Sequence, residues 1–272
     1  MRGSSEVMAR FLQLSDLHVV VEGAYASGVL DKRSILTRAI DRLLNMKAAL
    51  GPLDAVLVSG DISDDGSADS YAFAKAELQR LGLPLYVVPG NHDAREPFLN
   101  SFADLIETSL SGFVDWAVPI NGTLVVGLDT LVEGRGAGLL REASIAFLQD
   151  ALGSWGGGPV IVMLHHPPIA TGIRFMDAIG LENPQSLKSA ITAVDHDILV
   201  VAGHVHGVHH GQLGNCRVAT APSICSSFAL DRRLDAKIGF LNGPTGCVII
   251  DTAKGGIWST VALDSFGGPY PF

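Results

Sequence analysis

The chain has 272 residues, enough for one sizeable core, and is 47% hydrophobic against 17% charged. Its formal net charge of −9 sets it apart from proteins that draw affinity for nucleic acid from lysine and arginine, and no apolar run reaches the roughly 18 to 20 residues that span a bilayer. Cys216, Cys225 and Cys247 are an odd set without close spacing, which fits reduced thiols better than a disulfide framework.

Met1-Arg2-Gly3-Ser4 resembles an expression-tag leader and Met8 offers a second start, so residues 1–8 are set aside and 9–272 are read as a single domain. Residues 11–14 form an apolar strand that leads to Asp16-x-His18, and a spacing of two on extended chain puts both side chains on one face. Asp31 caps a helix whose Ile35, Ala39, Leu43 and Met46 share one side and which stops near Gly51-Pro52. Residues 55–58 read as a buried parallel strand ending at Gly60-Asp61, where glycine allows close approach of backbone and metal. A helix over 67–81, closed by Gly82, precedes a strand at 85–88 that runs into Gly90-Asn91-His92-Asp93.

Residues 113–118 and 123–128 flank Asn121-Gly122, a hairpin signal, and belong to a second sheet. A helix over 141–152 ends at Trp155 and three glycines. Strand 160–164 delivers His165, and strand 198–201 delivers Gly203-His204-Val205-His206. Further strands at 217–220, 247–250 and 257–263 follow the βαβ alternation, which suits an α/β fold: a four-layer α/β/β/α sandwich with two mixed sheets. Residues 228–245 read as a substrate rim or dimerisation arm, and the Gly-Pro-rich end 267–272 as irregular.

Each ligand-type side chain follows a strand-like run, so all of them project into one cleft. Asp16, His18, Asp61, Asn91, His165, His204 and His206 offer imidazole, carboxylate and amide oxygen without thiolate, a set suited to Fe, Mn, Co or Zn. Two ions need a carboxylate that touches both, and Asp61 is the candidate bridge. A lone buried histidine is ordinarily structural, and nine histidines by themselves require no metal; the block-by-block placement is what favours coordination. Asn91 reads as a ligand rather than a turn residue, and His92 as a group that binds phosphate or protonates a leaving alkoxide. Asp93 is expected to orient a neighbour or cap the helix beginning near Arg95. His166, His196, His209 and His210 read as structural or solvent-facing, Asp64 and Asp65 as polar loop residues, and Gly134 to Gly138 as no nucleotide fingerprint.

These blocks, D-x-H, GD, GNH-D, H and GH-x-H in that order over roughly residues 11–221, resemble the calcineurin-like metallophosphoesterase superfamily. The resemblance implies the same layered fold, with Asp16, His18, Asp61 and His206 on one ion and Asp61, Asn91, His165 and His204 on the other. It implies His92 beside the leaving group. Val88-Pro89 before the glycine, His165-His166-Pro167-Pro168, Met176-Asp177 and Ala221-Pro222-Ser223 are similar to class III cyclic nucleotide phosphodiesterases and related bacterial glycerophosphodiesterases. The expectation is therefore a cytoplasmic, homo-oligomeric enzyme with two divalent metal ions. Its metal-bound hydroxide attacks a small phosphodiester, such as cyclic AMP or a glycerophosphodiester, and neither nucleic acid nor membrane is a partner. A phosphomonoesterase or protein phosphatase of the same chemistry, a nuclease and a scaffold without metals are the alternatives.

Overall fold

The computed structural model describes residues 9–105, 112–253 and 256–264; the leader at 1–8 and the end at 267–272 lie outside them. The first half runs β1 (Arg10–Leu14), α1 (Lys32–Leu50), β2 (Ala55–Ser59), α2 (Ala68–Gln79), β3 (Leu85–Val88), α3 (Arg95–Phe102), β4 (Trp116–Ile120) and β5 (Thr123–Gly127). The second runs α4 (Glu142–Ser154), β6 (Val160–Met163), α5 (Arg174–Asp177), α6 (Pro184–Ile191), β7 (Ile198–Ala202), β8 (His210–Leu213), β9 (Cys216–Thr220), β10 (Ser227–Phe228), β11 (Phe240–Leu241), β12 (Gly246–Asp251) and β13 (Ile257–Ala262).

Two mixed sheets result, ordered β13-β12-β1-β2-β3 and β4-β5-β6-β7-β9-β8. In the first, β1, β2 and β3 are parallel; in the second, β5, β6, β7 and β9 are. The alternation of side chains along strands decides the layers. Val125, Ile161, Met163 and Val201 join the core shared with the first sheet, while Val126, Val160, Val162 and Val200 pack with Leu148 and Leu152 of α4 and Leu187 and Ile191 of α6. Leu36 and Ile40 of α1, Tyr71 of α2 and Phe98 of α3 cover the first sheet from outside. This is the four-layer α/β/β/α sandwich.

Local chemistry explains the boundaries. Asp31 accepts the backbone N–H of Ser34 at 3.0 Å and so caps α1, and Ser67 does the same for Ser70 in α2 at 3.2 Å. The buried stripe of α1 is Leu36, Ala39, Ile40 and Leu43, which leaves Ile35 and Met46 on its flank rather than on the shared face expected. Asn121 and Gly122 both have positive φ, 42° and 79°, the backbone of a tight two-residue hairpin turn. Strand β8 is polar and mostly uncovered and was not expected, whereas α6 was missed although Asn183 and Pro184 stand at its start.

The two sheets are also joined by a side chain. Trp116 of β4 donates its indole N–H to the carbonyl of Val87 on the edge strand β3 at 2.9 Å, in a buried setting. Removing that donor leaves a buried carbonyl unpaired, so Trp116→Phe is expected to lower stability by about 1 to 3 kcal/mol, read by denaturant unfolding. An unchanged midpoint would show that the sheets do not depend on this link.

Candidate metal centre

All the ligand-type residues sit just past the C-terminal ends of parallel strands, three from the first sheet and two from the second. Asp16 and His18 follow β1, Asp61 follows β2, Asn91 and His92 follow β3, His165 follows β6, and His204 and His206 follow β7. Open α/β sheets gather ligands at this edge. Among the described residues, seven other than glycine have positive φ, and five of them are Asp16, His18, Asp61, His204 and His206. The i, i+2 pairs therefore meet from kinked backbone, not from the extended chain that their spacing suggested. Each left-handed residue costs roughly 1 to 3 kcal/mol, which surrounding bonds must offset.

Those bonds tie one loop to the next. Asp16 donates its N–H to Gly60 O at 3.1 Å, His18 N–H reaches Asp61 O at 2.8 Å, and His204 N–H reaches both Asp16 oxygens at 3.0 and 3.2 Å. Close approach also requires Gly203: a Cβ there would stand 2.0 Å from Ser15 Oγ and 2.9 Å from Asp16 Oδ2. At Gly60 a Cβ would fall 2.4 Å from His165 Nδ1, so this glycine makes room for an imidazole.

The side chains form two clusters with one common atom. His206 Nε2 lies 3.0 Å from His18 Nε2 and 3.4 Å from Asp16 Oδ1, and His18 Nε2 lies 3.5 Å from Asp61 Oδ2. On the other side His165 Nε2 is 3.3 Å from the same Asp61 Oδ2 and 3.2 Å from Asn91 Oδ1, which is 2.9 Å from His204 Nδ1. The other Asp61 oxygen, Oδ1, accepts the His92 N–H at 2.9 Å, leaving Oδ2 to face both clusters.

Donor chemistry tests whether metal ions fit. His165 Nδ1 donates to Ser59 O at 2.8 Å and His18 Nδ1 donates to Asp64 Oδ1 at 2.8 Å, so each imidazole turns the lone pair of Nε2 toward other electron-rich atoms. Around an ion bound at roughly 2.1 Å, neighbouring ligand atoms stand about 3.0 to 3.4 Å apart. The separations here match that spacing, and the residues fit divalent cations.

The titration behaviour has the same origin. Burial opposes charge on Asp61, yet His165 and His18 hold its carboxyl well below the usual range. Burial opposes charge on His165 too, but Asp61 and then Asp16 push its pKa up to about 9. Burial and the His165 charge drive His204 down to about 3. Positive charge is wanted at the centre, and there is no room for a proton on every ring.

Several functional neighbours were not anticipated. Asp64, read from sequence as an ordinary loop residue, places Oδ1 at 2.8 Å from His18 Nδ1 and 3.0 Å from His92 Nδ1, fixing both rings. Its place three residues after Asp61 was the available signal. Burial lowers the His92 pKa, but the Asp64 hydrogen bond and the Asp61 charge outweigh it and raise the value to about 9. Asp93 is not the cap of α3, a position held by Ala94; its carboxylate accepts N–H groups of Ile62, Ser63 and Gly90 and the hydroxyl of Tyr71, and so orients its neighbours. His166 is buried, paired with Thr130 Oγ1 at 2.8 Å and Gly136 O at 3.0 Å, as a structural histidine should be. Gln13, deep in β1, bonds to Ser59 Oγ and Ala202 O and links the sheets beneath the centre.

Comparison with known proteins agrees with this geometry. The sequence matches the calcineurin-like phosphoesterase family over residues 9–208. A probable glycerophosphodiester phosphodiesterase, GpdQ, of Arcobacter nitrofigilis is 30% identical over 264 residues, 96% of each chain. The 3',5'-cyclic adenosine monophosphate phosphodiesterase CpdA of Pseudomonas aeruginosa is 32% identical over 227 residues, 83% of this chain and 80% of that one. Among solved structures, a dimetal phosphatase from Danio rerio has a TM-score of 0.62 at 14% identity, covering 94% of this chain and 99% of its own. A purple acid phosphatase from yellow lupin has a TM-score of 0.64 at 12% identity, covering 94% and 52%. These two are likenesses of fold. The fold and the clustered ligands define a metallophosphoesterase. The chain belongs to the calcineurin-like phosphoesterase family, and within it is a phosphodiester hydrolase.

Gly203→Ala would press its new methyl group on Ser15 and Asp16. The expected result is a folded protein by circular dichroism whose metal content, by elemental analysis, falls below that of the wild type. Full metal content would mean that the loop yields without moving Asp16.

Proposed function

We propose that this enzyme hydrolyses small phosphodiesters, cyclic nucleotides such as cyclic AMP or glycerophosphodiesters, with two divalent metal ions drawn from Fe, Mn, Co or Zn. Asp16, His18, Asp61 and His206 hold one ion; Asp61, Asn91, His165 and His204 hold the other. The observation that carries this is the single oxygen, Asp61 Oδ2, lying 3.5 Å from His18 Nε2 and 3.3 Å from His165 Nε2. Metal ions in such a pair supply Lewis acidity to the phosphoryl oxygens and lower the pKa of water toward neutrality.

The protein groups do the rest. Asn91 and His92 face the substrate, and Asp64 holds His92 Nδ1 at 3.0 Å so that Nε2 is left for the ester. A protonated His92 hands its proton to the leaving alkoxide, which departs poorly without one. The cavity, about 180 Å³, is walled by Leu30, Phe175, Met176, Ile179, Phe228 and Phe240, which suits a compact diester with an apolar or planar arm. The small cavity and the net charge of −9 speak for a small-molecule partner and against nucleic acid. No helix among the described residues is long and apolar enough to cross a membrane.

Residues 228–245 supply both a wall and an apolar surface. Phe228 and Phe240 pair across β10 and β11 and line the cavity, while Leu230, Leu234 and Ile238 are 61%, 85% and 67% exposed. That exposure supports a homo-oligomer formed through this arm. Three buried free cysteines support a reducing, cytoplasmic setting.

Chelation should abolish turnover of bis(p-nitrophenyl) phosphate, and Mn, Co or Zn should restore it; p-nitrophenyl phosphate run alongside separates diester from monoester activity. A metal-replete enzyme inert on diesters and active on the monoester would overturn the assignment. His92→Ala should lower kcat on glycerophosphoethanolamine by on the order of 10²-fold or more with metal content retained. Equal turnover would remove His92 from proton transfer. Leu234→Glu should shift the mass measured by light scattering toward the monomer; an unaltered mass would place the subunit contact elsewhere.

A further inference from the structure

Lys32 opens helix α1 and is only 3% exposed, yet it lines the cavity over the metal centre. Its ammonium has three donors. Among the described residues the partner it finds is Ser226 Oγ at 3.3 Å, and that oxygen lies 3.2 Å from His206 Nδ1. No described carboxylate forms an ion pair with it. Lys32 is also the one Lys or Arg among the described residues that line this cavity.

An ammonium taken out of water without a counter-charge is costly, and buried cations are ordinarily paired. Leu30, Phe228 and Phe240 beside it are apolar, and the carboxylates that share the cavity, Asp61 and Asp64, are engaged with His18, His92 and His165. The ammonium is left to meet a counter-charge that enters with the ligand. We infer that Lys32 is a specificity-determining residue that holds a second anionic group, carboxylate or phosphate, on an ester arm of the diester whose phosphoryl group sits at Asp61. This rests on the phosphodiesterase reading and adds a substrate class: diesters bearing an extra negative charge outside the scissile phosphate.

Two substrate pairs test it. Glycerophosphoserine differs from glycerophosphoethanolamine by one carboxylate, and thymidine 5'-(p-nitrophenyl phosphate) can be supplied with or without a 3'-phosphate. In at least one pair the more anionic member should have the higher kcat/KM, by roughly ten-fold and through KM. The pair that responds tells carboxylate from phosphate. Lys32→Gln should bring that ratio near one, and Lys32→Arg should keep it; should Lys32→Gln fail to fold, Lys32→Met, which keeps the length of the stem, takes its place. Ratios near one in both pairs for the wild type overturn the assignment, as does a ratio that survives loss of the charge. A lysine that only offsets Asp16 and Asp61 would lower metal content when replaced and slow both members alike, which also overturns it. Bis(p-nitrophenyl) phosphate, which carries no further anion, separates the two readings. Inertness on it and on all four diesters removes the phosphodiesterase reading, whereas activity without discrimination removes only the role of Lys32.

Discussion

The site depends on how one carboxylate divides its two oxygens. Asp61 Oδ1 is committed to the His92 N–H at 2.9 Å, so Oδ2 alone faces the atoms of both clusters. A carboxylate free to rotate would present either oxygen and hold no fixed point between them. The backbone bond therefore fixes the orientation of an otherwise flexible group. It also sets His92, since the same bond anchors the loop that carries that imidazole. The proposed bridge and the proposed acid are positioned by one contact.

The rigidity is stored in the loops at considerable cost. Five ligand-type residues adopt left-handed backbone, and four of them, Asp16, His18, Asp61 and His204, are tied by hydrogen bonds to a neighbouring loop. Asp93, with four donors converging on its carboxylate, braces the loop after β3 against the loop after β2. Burial and the charge of Asp61 raise the Asp93 pKa to about 6, the cost of placing a second acid so near the first. Folding burial at these loops is thus traded against charge, and bound cations would relieve the excess of negative groups.

Much of this was legible in the sequence because strand ends are marked by apolar runs. The parallel strands at 11–14, 55–58, 85–88, 160–164 and 198–201 and the seven ligand-type residues after them follow from pattern and residue chemistry, and the structure gathers all seven. What pattern could not supply was the conformation at those ends. Aspartate and histidine give little warning of positive φ, so the i, i+2 spacing suggested extended chain where the backbone is kinked. The contacts of Asp64, Tyr71 and Lys32 were hidden for a related reason. Each meets a partner distant in sequence, His18, Asp93 and Ser226, and for Asp64 alone did nearness to Asp61 give a local hint. The polar strand β8 was hidden because it lies at a sheet edge, where apolar alternation is not required.

The division of labour along the chain explains why chemistry is easier to read than substrate. Ligand-type residues stand on strand ends held by both sheets, whereas the cavity walls come from residues 26–32, 175–179 and 226–240, segments outside those strands. Wall and cluster meet at one imidazole, since Ser226 and Phe228 both touch His206. The family model, which matches residues 9–208, therefore spans the whole ligand-type set and stops short of the last of these walls. In that uncovered part lies Ser226, the partner of Lys32, and also Phe228, whose ring stands 4.7 Å from that of His206. The part of the cavity where a late segment folds back over an early one is thus legible from contacts rather than from motifs.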